Sequence, residues 1–417
     1  WVGKLGAEAL AAISSCAFIL WAVFALSALS SNGISTLVAQ NIGAGKPDAA
    51  RLAAGQGILI STVIAVLLTI LVLVSQNQLY RIMGLDQAVT ESAWIYMTVV
   101  ITAMIFSFWF TSLEAVFRGL GDTRTPMKIL AFALTLNAIL DPFLIFGWLG
   151  LPEMGIGGAA LATVLTEAFA TLLCFIYLKR LNFIPRIRQQ HRIVIDRQVI
   201  WQIVSIGAPV AFGGFFFSII YIFLTNIIAR FGTEAIAAIG ICHRIESIAW
   251  FVCVGYSVAA STLVGQNIGA GRIGAAGRSA VWSNIYGTMT LLLVSLLYFS
   301  IPQFLVGIFT DDPQVRIYGI EYLRIIAICE TFLALEVIME GVFSGAGFTL
   351  PVMLVTVPVT AARVPIAWYL AISLNWGTDG IWWAIAITTL VKGVLNAALY
   401  AMGLWKKRLN LIHQTGS

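Results

Sequence analysis

Charge is what this sequence has least of. Lysine, arginine, aspartate and glutamate make up 10% of its 417 residues, where a soluble domain carries about 25%. That scarcity excludes an ordinary water-soluble fold, and apolar segments of about 20 residues, each long enough to cross a bilayer, recur along the chain. Histidine is limited to three residues, two of them (His191 and His413) in polar stretches and only His243 in an apolar one. No Ser–His, HExxH or paired-acid arrangement is present, so the chain does not read as an enzyme. The five cysteines, Cys16, Cys174, Cys242, Cys253 and Cys329, all sit in apolar segments without metal-ligand spacing and read as small buried hydrophobes. The glycine-rich Gly43–Gly45 and Gly269–Gly271 lack the following Lys-Ser/Thr of a phosphate loop, and no strand precedes them. ATP-driven chemistry is therefore not indicated, and no cofactor is. No cleavable signal peptide is expected from the opening Trp1–Gly6. The net charge of +5 reports topology rather than nucleic-acid binding.

What is present is a series of eleven candidate spans, near 9–39, 52–75, 92–117, 127–149, 155–178, 203–229, 235–265, 279–300, 317–343, 351–374 and 380–404. The one clearly polar connection, residues 179–197, splits them. The organisation expected is a transmembrane lobe over 1–178, a basic linker over 179–197, a second lobe over 198–405 and a tail over 406–417. Basic residues gather on one side: Lys46, Arg51, Arg118, Arg124, Lys128, the 179–197 linker, Arg272, Arg278 and Lys406–Arg408. By the positive-inside rule that side, with the C-terminus, is cytoplasmic, in an inner (plasma) membrane.

The halves repeat. Gly6–Ile13 recurs as Gly232–Ile239, Val38–Gly45 as Val264–Gly271 and Phe117–Gly121 as Phe343–Gly347, all at an offset of 226; Pro126 and Pro351, then Gly155-Ile156 and Gly380-Ile381, match at 225. The span at 203–229 has no partner in the first half. A chain that starts outside the membrane at the edge of a helix is therefore expected to lack one helix before Trp1. The fold class expected is an all-α polytopic membrane protein of two six-helix lobes, related by a pseudo-two-fold axis along the membrane normal, with eleven helices present. Such a duplication suits a monomeric transporter whose lobes rock about a cleft.

Intramembrane charge points to the site. The span at 129–151 carries a single charge near its middle, Asp141, with Asn137 four residues earlier on the same helix face. A carboxylate at membrane depth costs about 2.5–3.5 kcal/mol on insertion scales. It is either neutralised by a proton or an internal partner, or it serves as an ion or proton site. Thr163 and Glu167, also four apart, share a face of the next span, and no basic residue lies at their depth. Carboxylate and amide oxygens attract hard cations, and a desolvated carboxyl favours its protonated form. Glu114 has Arg118 four residues on and reads as a local ion pair. In the second half, Glu246, Glu330 and Glu336 face Arg244, Arg363 and Lys392 in number, so mutual pairing is the economical reading, and Glu321 and Arg324 are placed to pair locally. The rival is that Glu330 or Glu336 faces the cleft and draws in a cationic substrate, with Phe215, Phe216, Phe217 and Tyr221 adding cation–π contacts.

These residues resemble the multidrug and toxic compound extrusion (MATE) family of secondary transporters. The likeness rests on GKLGAEALAAI at 3–13, the paired Gln-Asn-Ile-Gly-Ala-Gly turns, Arg118–Pro126, Asn137–Pro142, Gly158–Thr163 and His243–Glu246. It implies an antiporter that exports small organic, often cationic compounds as H⁺ or Na⁺ enters. It further implies that Asn137, Asp141 and Thr163 hold the coupling cation, Na⁺ included, together with an acid on a first helix this sequence does not contain. A related-fold alternative is a flippase for lipid-linked saccharides or peptidoglycan precursors, which calls for a large basic cleft. A membrane enzyme or receptor would call for a catalytic constellation or a soluble domain.

Overall fold

The computed structural model describes residues 1–183 and 195–406. Most of the 179–197 linker and of the 406–417 tail, with His191 and His413, therefore lies outside the described residues. Every regular element among the described residues is helical. The helices are α1 (Ala7–Ala25), α2 (Ala28–Gly43), α3 (Pro47–Ile82), α4 (Gln87–Thr102), α5 (Met104–Leu120), α6 (Arg124–Phe146), α7 (Gly155–Arg180), α8 (Arg197–Ile228), α9 (Thr233–Gly269), α10 (Ile273–Ser300), α11 (Pro302–Gly307), α12 (Pro313–Ala327), α13 (Glu330–Ala346), α14 (Leu350–Trp368) and α15 (Thr378–Ala401).

Among the described residues nine helices are long and apolar enough to span a membrane, and a tenth span forms if α4 and α5, bent by 46°, are taken together. The eleventh expected span, 317–343, falls on α12 and α13, of 15 and 17 residues. Neither reaches the 20 or so residues of a full crossing, and together they carry Arg316, Glu321, Arg324, Glu330, Glu336 and Glu340.

The repeat is written into the helices themselves. α1, α3, α4, α5 and α6 begin at residues 7, 47, 87, 104 and 124, and α9, α10, α12, α13 and α14 begin at 233, 273, 313, 330 and 350. Each pair is 226 apart. Contacts recur at the same spacing: Cys16 Sγ donates to the Ala93 carbonyl and Cys242 Sγ to that of Gly319, each at 3.6 Å. Thr69 bonds the Ile101 carbonyl as Ser295 bonds that of Ala327. Asp86 and Asp312 cap α4 and α12 by accepting from the backbone of Val89 and Val315, each at 2.9 Å. Gly119 and Gly345 hold α5 and α13 close to α2 and α9: a Cβ there would lie 2.8 Å and 2.2 Å from the carbonyl oxygens of Ser35 and Ser261.

By contact the chain divides into two units, Trp1–Ile42 with Lys46–Ala211, and Gly43–Gly45 with Phe212 onward. The first turns of α8 belong to the first unit because Gly207 lets its backbone meet α2; a Cβ there would sit 1.8 Å from the Leu29 carbonyl oxygen. Val199, Ile203 and Ile206 then pack on Leu37, Ala53 and Ile60.

Candidate functional site

In the first unit α7 lies against α4, α5 and α6. Asn137 and Asp141, four residues apart on α6, are both half-buried. Asp141 immediately precedes Pro142, which sits inside the helix. Proline has no N–H, so the carbonyl of Ala138 has no intrahelical donor. The indole Nε1 of Trp1 supplies one at 3.0 Å. The helix is thus opened beside its only carboxylate, where backbone oxygen becomes available to a side chain or an ion.

Among the described residues no hydrogen bond or ion pair reaches Asp141, and the amide Nδ2 of Asn137 is buried without a partner. On α7, Thr163 donates its hydroxyl to its own helix at Ala159 O, 3.1 Å, which leaves its oxygen lone pairs free to accept or to coordinate. Glu167 accepts a hydrogen bond from Ser107 on α5. Tyr96 on α4 lies within electrostatic reach of both Glu167 and Asp141. The structure thus puts all four residues expected from sequence on the adjoining α6 and α7, without a direct hydrogen bond between the two pairs. Ser107 and Tyr96 were not legible in the sequence: a lone serine or tyrosine in an apolar span carries no charge to mark it. Glu114 and Arg118 form the expected ion pair at 2.9 Å. No group of three His, Cys, Asp or Glu residues able to hold a metal ion occurs among the described residues. A cation here would rest on amide, hydroxyl and backbone oxygens around the single Asp141 carboxylate.

The second unit buries a different set, and mutual pairing of its acids and bases is corrected. Only Glu336 and Lys392 pair among the residues so counted, at 2.5 Å. Arg363 is 2% exposed and meets no carboxylate among the described residues. It donates to Thr388 Oγ1 at 2.9 Å, Tyr221 OH at 2.8 Å and Thr389 Oγ1 at 3.2 Å, and its guanidinium lies 5.5 Å from the Tyr221 ring centroid. Hydroxyls at three of its donors take the place of an acid. Glu246 accepts from Tyr322 OH at 2.8 Å, and Arg244 is exposed. Glu321 lies beside Asp379 and not in an ion pair with Arg324. Glu330 is fully buried, and neither of its oxygens has a partner among the described residues. Phe217 stacks on Tyr221 at 4.4 Å between centroids, whereas Phe215 and Phe216 are exposed.

At the repeat spacing of 225, Gly155 meets Gly380, Thr163 meets Thr388 and Glu167 meets Lys392. The two units therefore place opposite charges at one equivalent helical position.

The MatE family model matches residues 1–143 and 209–369, most of the chain. The chain belongs to the MATE family of transporters. Among its relatives, a probable multidrug resistance protein NorM of Thermotoga maritima is 29% identical over 424 residues, covering 99% of this chain and 89% of that protein. A FAD transporter of Shewanella oneidensis is 27% identical over 328 residues, covering 76% of this chain and 70% of that protein. The fold matches a crystal structure of MATE in the bent conformation with a TM-score of 0.90 at 22% identity, over all of this chain and 90% of that one. This MATE-family chain is accordingly a multi-pass membrane transporter and not an enzyme, and it needs no cofactor.

Proposed function

We propose that this chain is a secondary antiporter that exports small organic, cationic or amphipathic compounds in exchange for H⁺ or Na⁺, working as a monomer in a prokaryotic inner membrane with its C-terminus in the cytoplasm. The functional lobes are residues 1–178 and 198–405, joined by the 179–197 linker. Coupling resides in the first lobe, at Asn137, Asp141, Thr163 and Glu167, where occupancy biases alternating access. The observation that carries this reading is Asp141: a half-buried carboxylate in a spanning helix, beside the gap opened by Pro142 and one turn from the buried, unpartnered amide of Asn137. A group so placed is stable when it binds a proton or a cation, and unstable when it holds a bare charge. Glu246, Glu330, Glu336 and Arg363 form the polar interior of the second lobe. The acidic interior of the first lobe supports export of such compounds over the flipping of pyrophosphate-linked lipids, which requires a basic cleft.

The test is efflux of an organic cation from liposomes or inverted vesicles, driven separately by a proton or a sodium gradient. Asp141→Asn should insert normally and lose at least tenfold of gradient-driven transport. Undiminished coupled transport in that variant removes the proposal.

A further inference from the structure

We infer that Trp1 is a specificity-determining residue of the coupling site: its indole N–H caps the Ala138 carbonyl and withholds that oxygen from a metal cation at Asp141. The inference rests on the antiport reading for the role of Asp141, and on the geometry of the first unit for the cap itself.

Helix chemistry makes the oxygen available. Pro142 lacks the N–H that would close the turn from Ala138. The carbonyl left over points along α6 toward its C-terminal end, over the turn that holds Asp141. A hard cation collects carboxylate and carbonyl oxygens together. An uncapped Ala138 carbonyl beside Asp141 would supply one of each from a single helical turn. The indole Nε1 of Trp1 takes that carbonyl instead, at 3.0 Å. The N–H presents the positive end of its dipole to the oxygen, so a cation drawn to the same atom meets both that charge and the ring. An indole nitrogen donates and does not accept. Trp1 therefore removes one ligand without offering another.

The ring is fixed by the end of α6 and the turn after it. It meets Phe146 and Trp148 edge to face, at 6.5 Å and 6.0 Å between centroids. The Lys4 ammonium lies 4.9 Å from the ring centroid, and the Lys4 N–H donates to the Trp1 carbonyl at 2.9 Å. The cap thus brings a further positive charge to the ring. The other polar groups of the site are engaged elsewhere: the Thr163 hydroxyl donates to Ala159 O at 3.1 Å, and the Glu167 carboxyl accepts from Ser107. Repeat spacing puts Ile227 at the position of Trp1 and Ala367 at that of Pro142. Neither the indole nor the proline recurs there, so the cap belongs to the unit that holds Asp141.

Sodium binding to the purified protein, followed by calorimetry at fixed ionic strength, tests the cap as a double-mutant cycle. Trp1→Phe should keep the unfolding temperature measured without sodium and should tighten sodium binding roughly three- to tenfold, the range a single hydrogen bond is worth. The benzothienyl analogue of tryptophan, which keeps the ring system and lacks the N–H, should do the same and answers for any loss of packing in Trp1→Phe. Pro142→Ala gives the Ala138 carbonyl a donor within the helix, so adding Trp1→Phe to it should change nothing. Asp141→Asn should abolish the gain in every background. Sodium affinity unmoved by both replacements of Trp1, raised as much with Pro142→Ala as without it, or raised despite Asp141→Asn overturns the inference. Efflux from vesicles keeps the two readings apart. Gradient-driven efflux that is lost in Asp141→Asn, with sodium affinity unmoved by Trp1→Phe, fails the cap alone. An affinity that follows the cycle, in a protein driven by neither gradient, fails the antiport reading alone.

Discussion

At the scale of the residue, each unit leaves an acid without an ion pair among the described residues, Asp141 in the first and Glu330 in the second, and the two differ in what surrounds the rest. Among the described residues the first leaves Asp141 unpaired and gives the Glu167 carboxyl the Ser107 hydroxyl alone. Ser107→Ala should shift the pH profile of efflux without changing how much protein folds, since a hydrogen bond to a carboxylate alters the balance between its two protonation states; an unmoved profile would make Ser107 a packing residue only. The second unit contains a closed ion pair. Lys392→Met should cost about 3–5 kcal/mol of stability, because it leaves the buried Glu336 carboxyl without its partner, whereas the double variant Lys392→Met with Glu336→Leu should regain most of it. Thermal unfolding in detergent distinguishes the two outcomes.

At the scale of the element, close approach and helix breaks do the positioning. α5 and α13 are held to α2 and α9 through glycine at equivalent places, so Gly119→Val and Gly345→Val should each lower the unfolding temperature or abolish insertion. Gly345 should be the more sensitive, since its Cβ would meet backbone at 2.2 Å and Gly119's at 2.8 Å. The break in α6 is local in origin. Pro142→Ala restores the N–H that Ala138 lacks. Amide exchange of the turn around Asp141 should slow at least tenfold, and exchange elsewhere in α6 should stay as it was. Equal slowing along the whole helix would argue for a global change in stability.

At the scale of the whole molecule, much was legible from sequence because membrane proteins write their architecture in hydropathy and their duplications in spacing. The 226-residue offset seen in three short motifs returned as the offset of five helix starts and of several side-chain contacts. Asp141 and Glu167 stood out because charge is rare at that depth. Partner choice was not legible. Arg363 settled on Tyr221, Thr388 and Thr389, and Glu246 on Tyr322, because a neutral hydroxyl leaves no mark in a hydropathy profile and its partner comes from a helix 25 to 142 residues away. The division of the span at 317–343 into α12 and α13 was likewise hidden, since its apolar run continues across the break. The orientation drawn from basic residues has its own check: a cysteine placed after Lys406 should react with an impermeant maleimide only in inverted vesicles, and labelling in intact cells would reverse the topology.

Glu167 and Lys392 occupy one position of the repeat with opposite sign. Two copies of an ancestral unit would each have had to satisfy the same residue in the same surroundings. With opposite signs at that position the two halves no longer share one solution for it: Lys392 is held by Glu336, and Glu167 by the Ser107 hydroxyl. Carrying that pair into the first half, as Glu167→Lys with Phe110→Glu at the position 226 before Glu336, should, on the proposed coupling role of Glu167, yield a protein that folds and loses gradient-driven transport.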